Sequence, residues 1–419
     1  MRGVFISIQC RFDLTRLPLN LDRGCRESPS KKLLMKTVIT ADRLITPERL
    51  IVDAIVVVED GVIARMESRA KVELPSAKHL DFSGCTLMPA FFDVHIHGSA
   101  GRDVMEGTPD AFTTVGKFLA QNGVGAYLPT TVTAGIDVTL ESLGRMSAQI
   151  GRDTGGAAPL GIHIEGPFLS PHKKGAHPAS LLQTPSVELF DRMWQASEGK
   201  IRLMTIAPEL PNAEEVIAHA TGFGVRVSLG HSNADTVAAR AGIGAGAVTA
   251  THTFNAMRQF DHRDPGLLGE VLTNDDLFAE LICDGLHVHP DAVRLYWKAK
   301  GPERAMLITD AMSAAGMPDG NYKLGELDVR VINGRCLIGE DTLAGSTLTL
   351  ARAVRNFVEF TGASIEDVSK LASRNPSRMT GFEAEAGSLA VGRAADITVL
   401  SAKNEVVETI LRGRATFKA

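Results

Sequence analysis

The segment Phe91-Phe92-Asp93-Val94-His95-Ile96-His97-Gly98 reads as a β-strand: an apolar run that closes on two histidines one residue apart and stops at a glycine. Side chains alternate across a strand, so His95 and His97 face the same way. Two imidazoles on one face of a strand end are half of a metal site. A polar strand end with two hydrogen-bonded histidines explains them equally well. The rest of the chain separates the two readings.

Working outward, seven more short apolar runs follow the one at 91–97, at 125–131, 160–165, 201–207, 225–230, 247–253, 278–284 and 305–310. Each leads into a polar or glycine-containing turn. Intervening stretches such as 110–121, 212–221 and 291–300 have helical character, with Pro or Asp near their starts. Strand and helix in alternation build a parallel sheet with crossover helices. Eight repeats without a GxGxxG turn favour an α/β fold of the (β/α)₈ TIM-barrel type over an open doubly wound sheet.

The flanks differ. From Lys36 to about Pro89 the pattern is β, and 54–64 is two strand-like runs joined at Asp60-Gly61, a strong hairpin signal. Residues 395–400 and 406–411 are again strand-like, so the two ends are expected to share one small β-sandwich domain. The expected organisation is an extension at 1–34, the first part of the sandwich at 35–88, the barrel at 89–383 and the second part of the sandwich at 384–419. The extension, ending Ser28-Pro29-Ser30-Lys31-Lys32, shows little patterning and reads as a disordered tail or as a start assigned too far upstream of Met35.

With 419 residues there is ample core for one large domain and one small one. A formal net charge of -5 argues against a nucleic-acid partner. No apolar run approaches bilayer length, and 3–8 is too short for a secretory core, so no membrane partner is expected. Cys10, Cys25, Cys85, Cys283 and Cys336 are scattered, with no CxxC pair, which fits a reducing cytoplasm.

A barrel gathers the carboxyl ends of its strands on one rim. His95, His97, Glu165, His231, His252, His287 and Asp310 all fall there. Glu165 alone reads as a cap, His231 and His252 as satisfied core histidines, and Asp310 as a turn former. Seven such residues on one rim instead form an active-site constellation. Imidazoles with one carboxylate suit Zn²⁺ or Fe²⁺, whereas Mg²⁺ wants more oxygen ligands. Such an ion acidifies water, and an aspartate beside it moves the proton, which describes a metal-assisted hydrolase.

The first-strand motif after Met88-Pro89 resembles that of the amidohydrolase superfamily, as does a β domain split between the termini. The resemblance narrows with Gly161-Ile162-His163-Ile164-Glu165-Gly166-Pro167-Phe168, Lys174-Gly175-Ala176-His177, Gly230-His231-Ser232-Asn233-Ala234, Thr251-His252-Thr253-Phe254-Asn255-Ala256-Met257, Asp284-Gly285-Leu286-His287-Val288 and Thr309-Asp310-Ala311. Together these resemble the N-acetylglucosamine-6-phosphate deacetylase family across nearly all of 36–419.

The resemblance implies that Glu165, His231 and His252 are the principal ligands of a divalent transition metal. It implies that Asp310 is the general acid–base and that His287 polarises the scissile carbonyl. Ala176 and His177 fall where the family lines the sugar pocket, and Asn255, Ala256 and Arg263 where it holds the 6-phosphate. Leu343-Ala344-Gly345 matches a loop that closes over substrate. Because His95 and His97 are both kept, the expectation is one or two ions, the second bridged through Glu165.

The family further implies a phosphorylated amino sugar as the small-molecule partner and a homodimer whose phosphate-binding Arg comes from the neighbouring subunit. The residues leave other readings open. The sugar could be the galactosamine epimer. A cyclic-amide hydrolase would bring a carboxylated lysine, and no lysine stands at a strand end. A non-catalytic scaffold would not need Asp310. Arg263, in the polar loop 259–266, is also unremarkable as an exposed Arg. His163 reads as a packed histidine, and Arg374-Asn375-Pro376-Ser377 as a helix end and turn.

Overall fold

Hydrophobic periodicity locates the barrel strands and the β segments at 36–89, 397–400 and 406–411, but not the strands at 320–343 or 414–418. The structure, a computed structural model, describes residues 36–71 and 77–418, so the reading of 1–34 lies outside the described residues. The chain opens with β1 (Lys36–Ile45), β2 (Leu50–Glu59), β3 (Val62–Ser68) and β4 (Lys78–Pro89). The expected hairpin joins β2 to β3 with Glu59 opposite Val62. Its turn residues Asp60 and Gly61 have φ of 46° and 85°, the mirror-image turn that matches strand twist.

The barrel strands follow: β5 (Phe91–Ile96), β6 (Val124–Thr131), β7 (Ile162–Glu165), β8 (Ile201–Ile206), β9 (Arg226–Leu229), β10 (Thr249–Ala250), β11 (Phe278–Ile282) and β12 (Ala305–Ile308). Each lies within one of the eight expected runs except β6, which starts one residue earlier, at Val124. Among the described residues they form a parallel path in chain order from β5 to β12, with short Ala158–Pro159 as an offshoot beside β6. Just past the strand ends the ring closes through the backbone: Asp310 N–H donates to His95 O at 2.9 Å, and His97 N–H to Ala311 O at 2.8 Å. Buried Asp93 reinforces this seam, accepting from Thr309 Oγ1 at 2.6 Å.

Crossover helices start where their caps direct. Thr108 Oγ1 accepts from Ala111 N–H at the head of Pro109–Gln121, and the stretches expected at 212–221 and 291–300 are Ala213–Gly222 and Pro290–Arg304. After β12 the chain forms an antiparallel meander of β13 (Gly320–Leu324), β14 (Leu327–Ile332), β15 (Arg335–Ile338) and β16 (Thr342–Leu343).

The chain finishes with β17 (Ile397–Leu400), β18 (Val406–Leu411) and β19 (Arg414–Lys418). Among the described residues both ends share one seven-stranded sheet, ordered β19-β18-β17-β4-β1-β2-β3. Strand β4 is the joint, parallel to β1 and antiparallel to β17. Ile39, Leu44, Val56, Ile397 and Ile410 fill a core of its own.

One local expectation is corrected. Arg374-Asn375-Pro376-Ser377 is not a turn: a wide helical turn, Lys370–Arg374, runs directly into the helix Asn375–Thr380. Pro376 sits in the first turn, where its missing N–H is harmless. Buried Asn375 donates through Nδ2 to Pro302 O and Ala305 O, both at 2.8 Å.

Candidate metal centre

The rim residues reach the barrel axis by two routes. His95 and Glu165 stand on the closing residues of β5 and β7, with His97 one step beyond. His231, His252 and Asp310 each lie two residues past a strand, with φ of 46°, 28° and 49°. Left-handed backbone costs a non-glycine residue about 1–3 kcal/mol, and such strain collects at functional sites.

Glu165 is the hub. Its Oε1 faces the Nε2 atoms of His252 at 3.2 Å, His231 at 3.3 Å and His95 at 3.5 Å. Its Oε2 faces His97 Nε2 at 3.4 Å and His177 Nε2 at 3.5 Å. Asp310 Oδ1 closes the other side, 3.1 Å from His97 Nε2 and 3.6 Å from His95 Nε2. All of these side chains are buried or nearly so.

The outward ring nitrogens decide what points inward. His97 Nδ1 meets Thr130 O at 3.1 Å, and His231 Nδ1 meets Lys173 O at 2.9 Å. A carbonyl only accepts, so each Nδ1 carries a proton, and in the neutral form that binds a metal each ring turns an Nε2 lone pair toward Glu165. His95 Nδ1–H donates likewise to Glu280 Oε2 at 3.2 Å. Lone pairs aimed at a carboxylate repel unless a cation lies between them. His95 Nε2 and Glu165 Oε1 are accordingly fully buried without hydrogen-bond partners among the described residues. This donor set fits a divalent transition metal with ligands oriented from outside.

His177 differs. Its Nδ1 accepts from Thr133 N–H at 3.3 Å, so its Nε2 carries a proton and donates inward. It lies among the ligands but behaves as a hydrogen-bond donor. His163 lies in a buried layer beside His95, bonded to Thr130 Oγ1 at 3.3 Å and Thr205 Oγ1 at 2.8 Å.

Ion pairing governs the charges. Burial pushes the Glu165 carboxyl up, but the surrounding imidazoles, His95 foremost, outweigh it and hold the group well below the usual range. The same contest leaves Asp310 strongly depressed. Burial pushes His97 down, yet its bonds to Asp310 and Glu165 lift it to about 9. For His231 burial wins, and its pKa falls to about 4.

Of the other expected residues, some attach to this centre through the backbone, and His287 is held by its own partner. His287 Nδ1 bonds Asp284 Oδ2 at 2.7 Å, which fixes the ring; burial raises the Asp284 carboxyl, but His287 and backbone N–H groups bring it below the usual range. The segment Leu343-Ala344-Gly345 leads into Ser346, whose N–H donates to Asp310 O at 2.7 Å. Gly345 has φ of 63°, and a Cβ there would meet Asp310 O at 3.1 Å. Ala176 adjoins His177, Asn255 Nδ2 donates to His252 O at 3.3 Å, and Ala256 O accepts from Ser232 N–H at 3.0 Å. Arg263 is not brought to this group. It lines a separate surface cleft of about 570 Å³ with Asp235, Arg240, Phe260 and Glu270.

Sequence reasoning passed over Glu280, Asp284 and Asp93. The signal for Glu280 in the sequence is a carboxylate that interrupts the apolar run at 278–282.

The sequence profile of the amidohydrolase family matches residues 86–416. The chain is 39% identical over 381 residues to the N-acetylgalactosamine-6-phosphate deacetylase of Escherichia coli O157:H7, covering 91% of this chain and 99% of that one. It is 35% identical to the N-acetylglucosamine-6-phosphate deacetylase of Bacillus subtilis (strain 168), covering 93% and 98%. Among solved structures, a mutant N-acetyl-D-glucosamine-6-phosphate deacetylase from Mycobacterium smegmatis, in complex with N-acetyl-D-glucosamine-6-phosphate, superposes with a TM-score of 0.86. It shares 33% identity, over 91% of this chain and 100% of that one.

Proposed function

The chain belongs to the amidohydrolase family, and on that premise we propose that it hydrolyses the acetamide of N-acetyl-D-glucosamine 6-phosphate, giving D-glucosamine 6-phosphate and acetate. The observation that carries this is the Glu165 hub, with imidazoles and Asp310 converging on one buried carboxylate, in a chain that aligns over 93% of its length with a deacetylase.

Glu165, His231 and His252 would hold the principal divalent ion, and His95 and His97, together with Glu165, would hold a second. When bound, the metal supplies Lewis acidity, which polarises the carbonyl and acidifies water. Asp310 takes the proton from the attacking water and returns it to the departing amine. Its depressed pKa keeps it ionised near neutral pH. His287, clamped by Asp284 through Nδ1–H, donates from Nε2 to the carbonyl oxygen when its ring carries both protons, a contribution of about 3–4 kcal/mol for a well-placed donor as negative charge develops. His177, protonated on Nε2, donates to the sugar, beside Ala176. Leu343, Ala344 and Gly345 close the pocket against Asp310.

The 6-phosphate falls to Asn255, Ala256 and Arg263. Arg263 lines a separate cleft of its own chain, and the resemblance to the family is what supports a homodimer in which it serves the neighbouring site. A sedimenting mass near the monomer's 44.8 kDa contradicts that part. Among the described residues no helix is long and apolar enough to cross a membrane, and the scattered cysteines support a cytoplasmic enzyme. The ion is Zn²⁺ or Fe²⁺, and the working boundaries remain 35–88, 89–383 and 384–419.

A second reading, the galactosamine epimer, is favoured by the 39% identity to a galactosamine-type deacetylase. Acetate release from both epimers, and from unphosphorylated N-acetylglucosamine, decides between them. The proposal expects kcat/KM highest on the gluco phosphate and little release without phosphate. Preference for the galacto phosphate transfers the function to the epimer, and no release from either phosphate overturns both readings.

A further inference from the structure

We infer that Glu280, in the middle of β11, is a positioning residue that sets the affinity of the ion position formed by His95 and His97 with Glu165. The inference rests on the two-ion reading above and extends it to a residue outside the rim. Glu280 and His95 are both fully buried, and Glu280 Oε2 accepts from His95 Nδ1–H at 3.2 Å. The same oxygen is 3.3 Å from the backbone N–H of His252, a ligand of the principal position, which stands at φ 28°. One carboxylate oxygen thus grips a ring at one position and the backbone at the other.

Three of the inward-facing rings have an outward hydrogen bond on Nδ1, but their partners differ. His97 and His231 donate to neutral carbonyls, whereas His95 donates to a carboxylate. An anionic partner fixes the tautomer and raises the basicity of the inward nitrogen more than a carbonyl does. The other oxygen, Oε1, is buried with no hydrogen-bond partner among the described residues. A half-satisfied buried carboxylate is a poor folding element. What it provides is the charge-assisted hold on His95.

The test is Co²⁺ titration of metal-free wild type, Glu280→Leu and Glu280→Gln, read by visible absorption and by metal content per chain. Wild type should take up two equivalents. Glu280→Leu should keep the first and bind the second about 10–100-fold more weakly, with circular dichroism unchanged. Glu280→Gln, whose amide oxygen still accepts, should fall between them. If Glu280→Leu does not fold, Glu280→Gln is read alone, and wild-type affinity for its second ion overturns the inference. Two equivalents bound as tightly in Glu280→Leu as in wild type overturn the Glu280 assignment only. A single equivalent in wild type overturns the two-ion reading and this inference together.

Discussion

Asp310 is the one rim carboxylate facing two imidazoles without being the hub. Burial works against its charge, and His95 and His97 more than offset that, so it is ionised wherever the protein is folded and near neutrality. Asp310→Asn keeps the shape and removes the proton acceptor. The expected result is a kcat lower by about 10²–10⁴ with metal content and substrate binding retained, measured by acetate release and equilibrium binding. Near-wild-type kcat contradicts the assignment. At this scale much of the site was legible, because each rim residue has a side chain whose chemistry is visible in its letter. The outward partners were less so. Thr130 O and Lys173 O are backbone carbonyls that any residue would present, and Glu280 lies mid-strand, where a strand-end search does not look.

Elements were legible where hydrophobic runs are long and blurred where function bends the backbone. The run at 247–253 yields only the two residues of β10, because the chain turns away toward His252 at its strained φ. The helix expected at 291–300 breaks just past that range, at Gly301 with φ of 58°, and carries one unusual burial. Lys300 is 7% exposed, and its Nζ donates to Asn274 O at 2.7 Å. Burial lowers its pKa to about 8, against an ordinary value of 10.5. Between those values the unfolded chain holds the extra proton, so this group's contribution to stability rises with pH through that window and is lost as pH falls through the folded value. The Tm of wild type minus that of Lys300→Met should therefore climb from about pH 8 to about pH 10.5. A flat difference contradicts the burial argument.

At the scale of the molecule, both ends of the chain meet through β4 and leave the barrel to carry the chemistry. Alternating runs made the barrel legible. The pairing of β4 with β17 was legible only as shared composition, because register between segments some three hundred residues apart leaves no local mark. The central claim is that the cluster around Glu165 is a metal centre on which deacetylation depends. Its most direct test is acetate release from N-acetyl-D-glucosamine 6-phosphate, with bound metal measured on the same samples, before chelation, after it, and after Zn²⁺ or Fe²⁺ is returned. The account predicts that turnover falls with metal content and recovers as the ion is restored; full turnover by metal-free protein would contradict it.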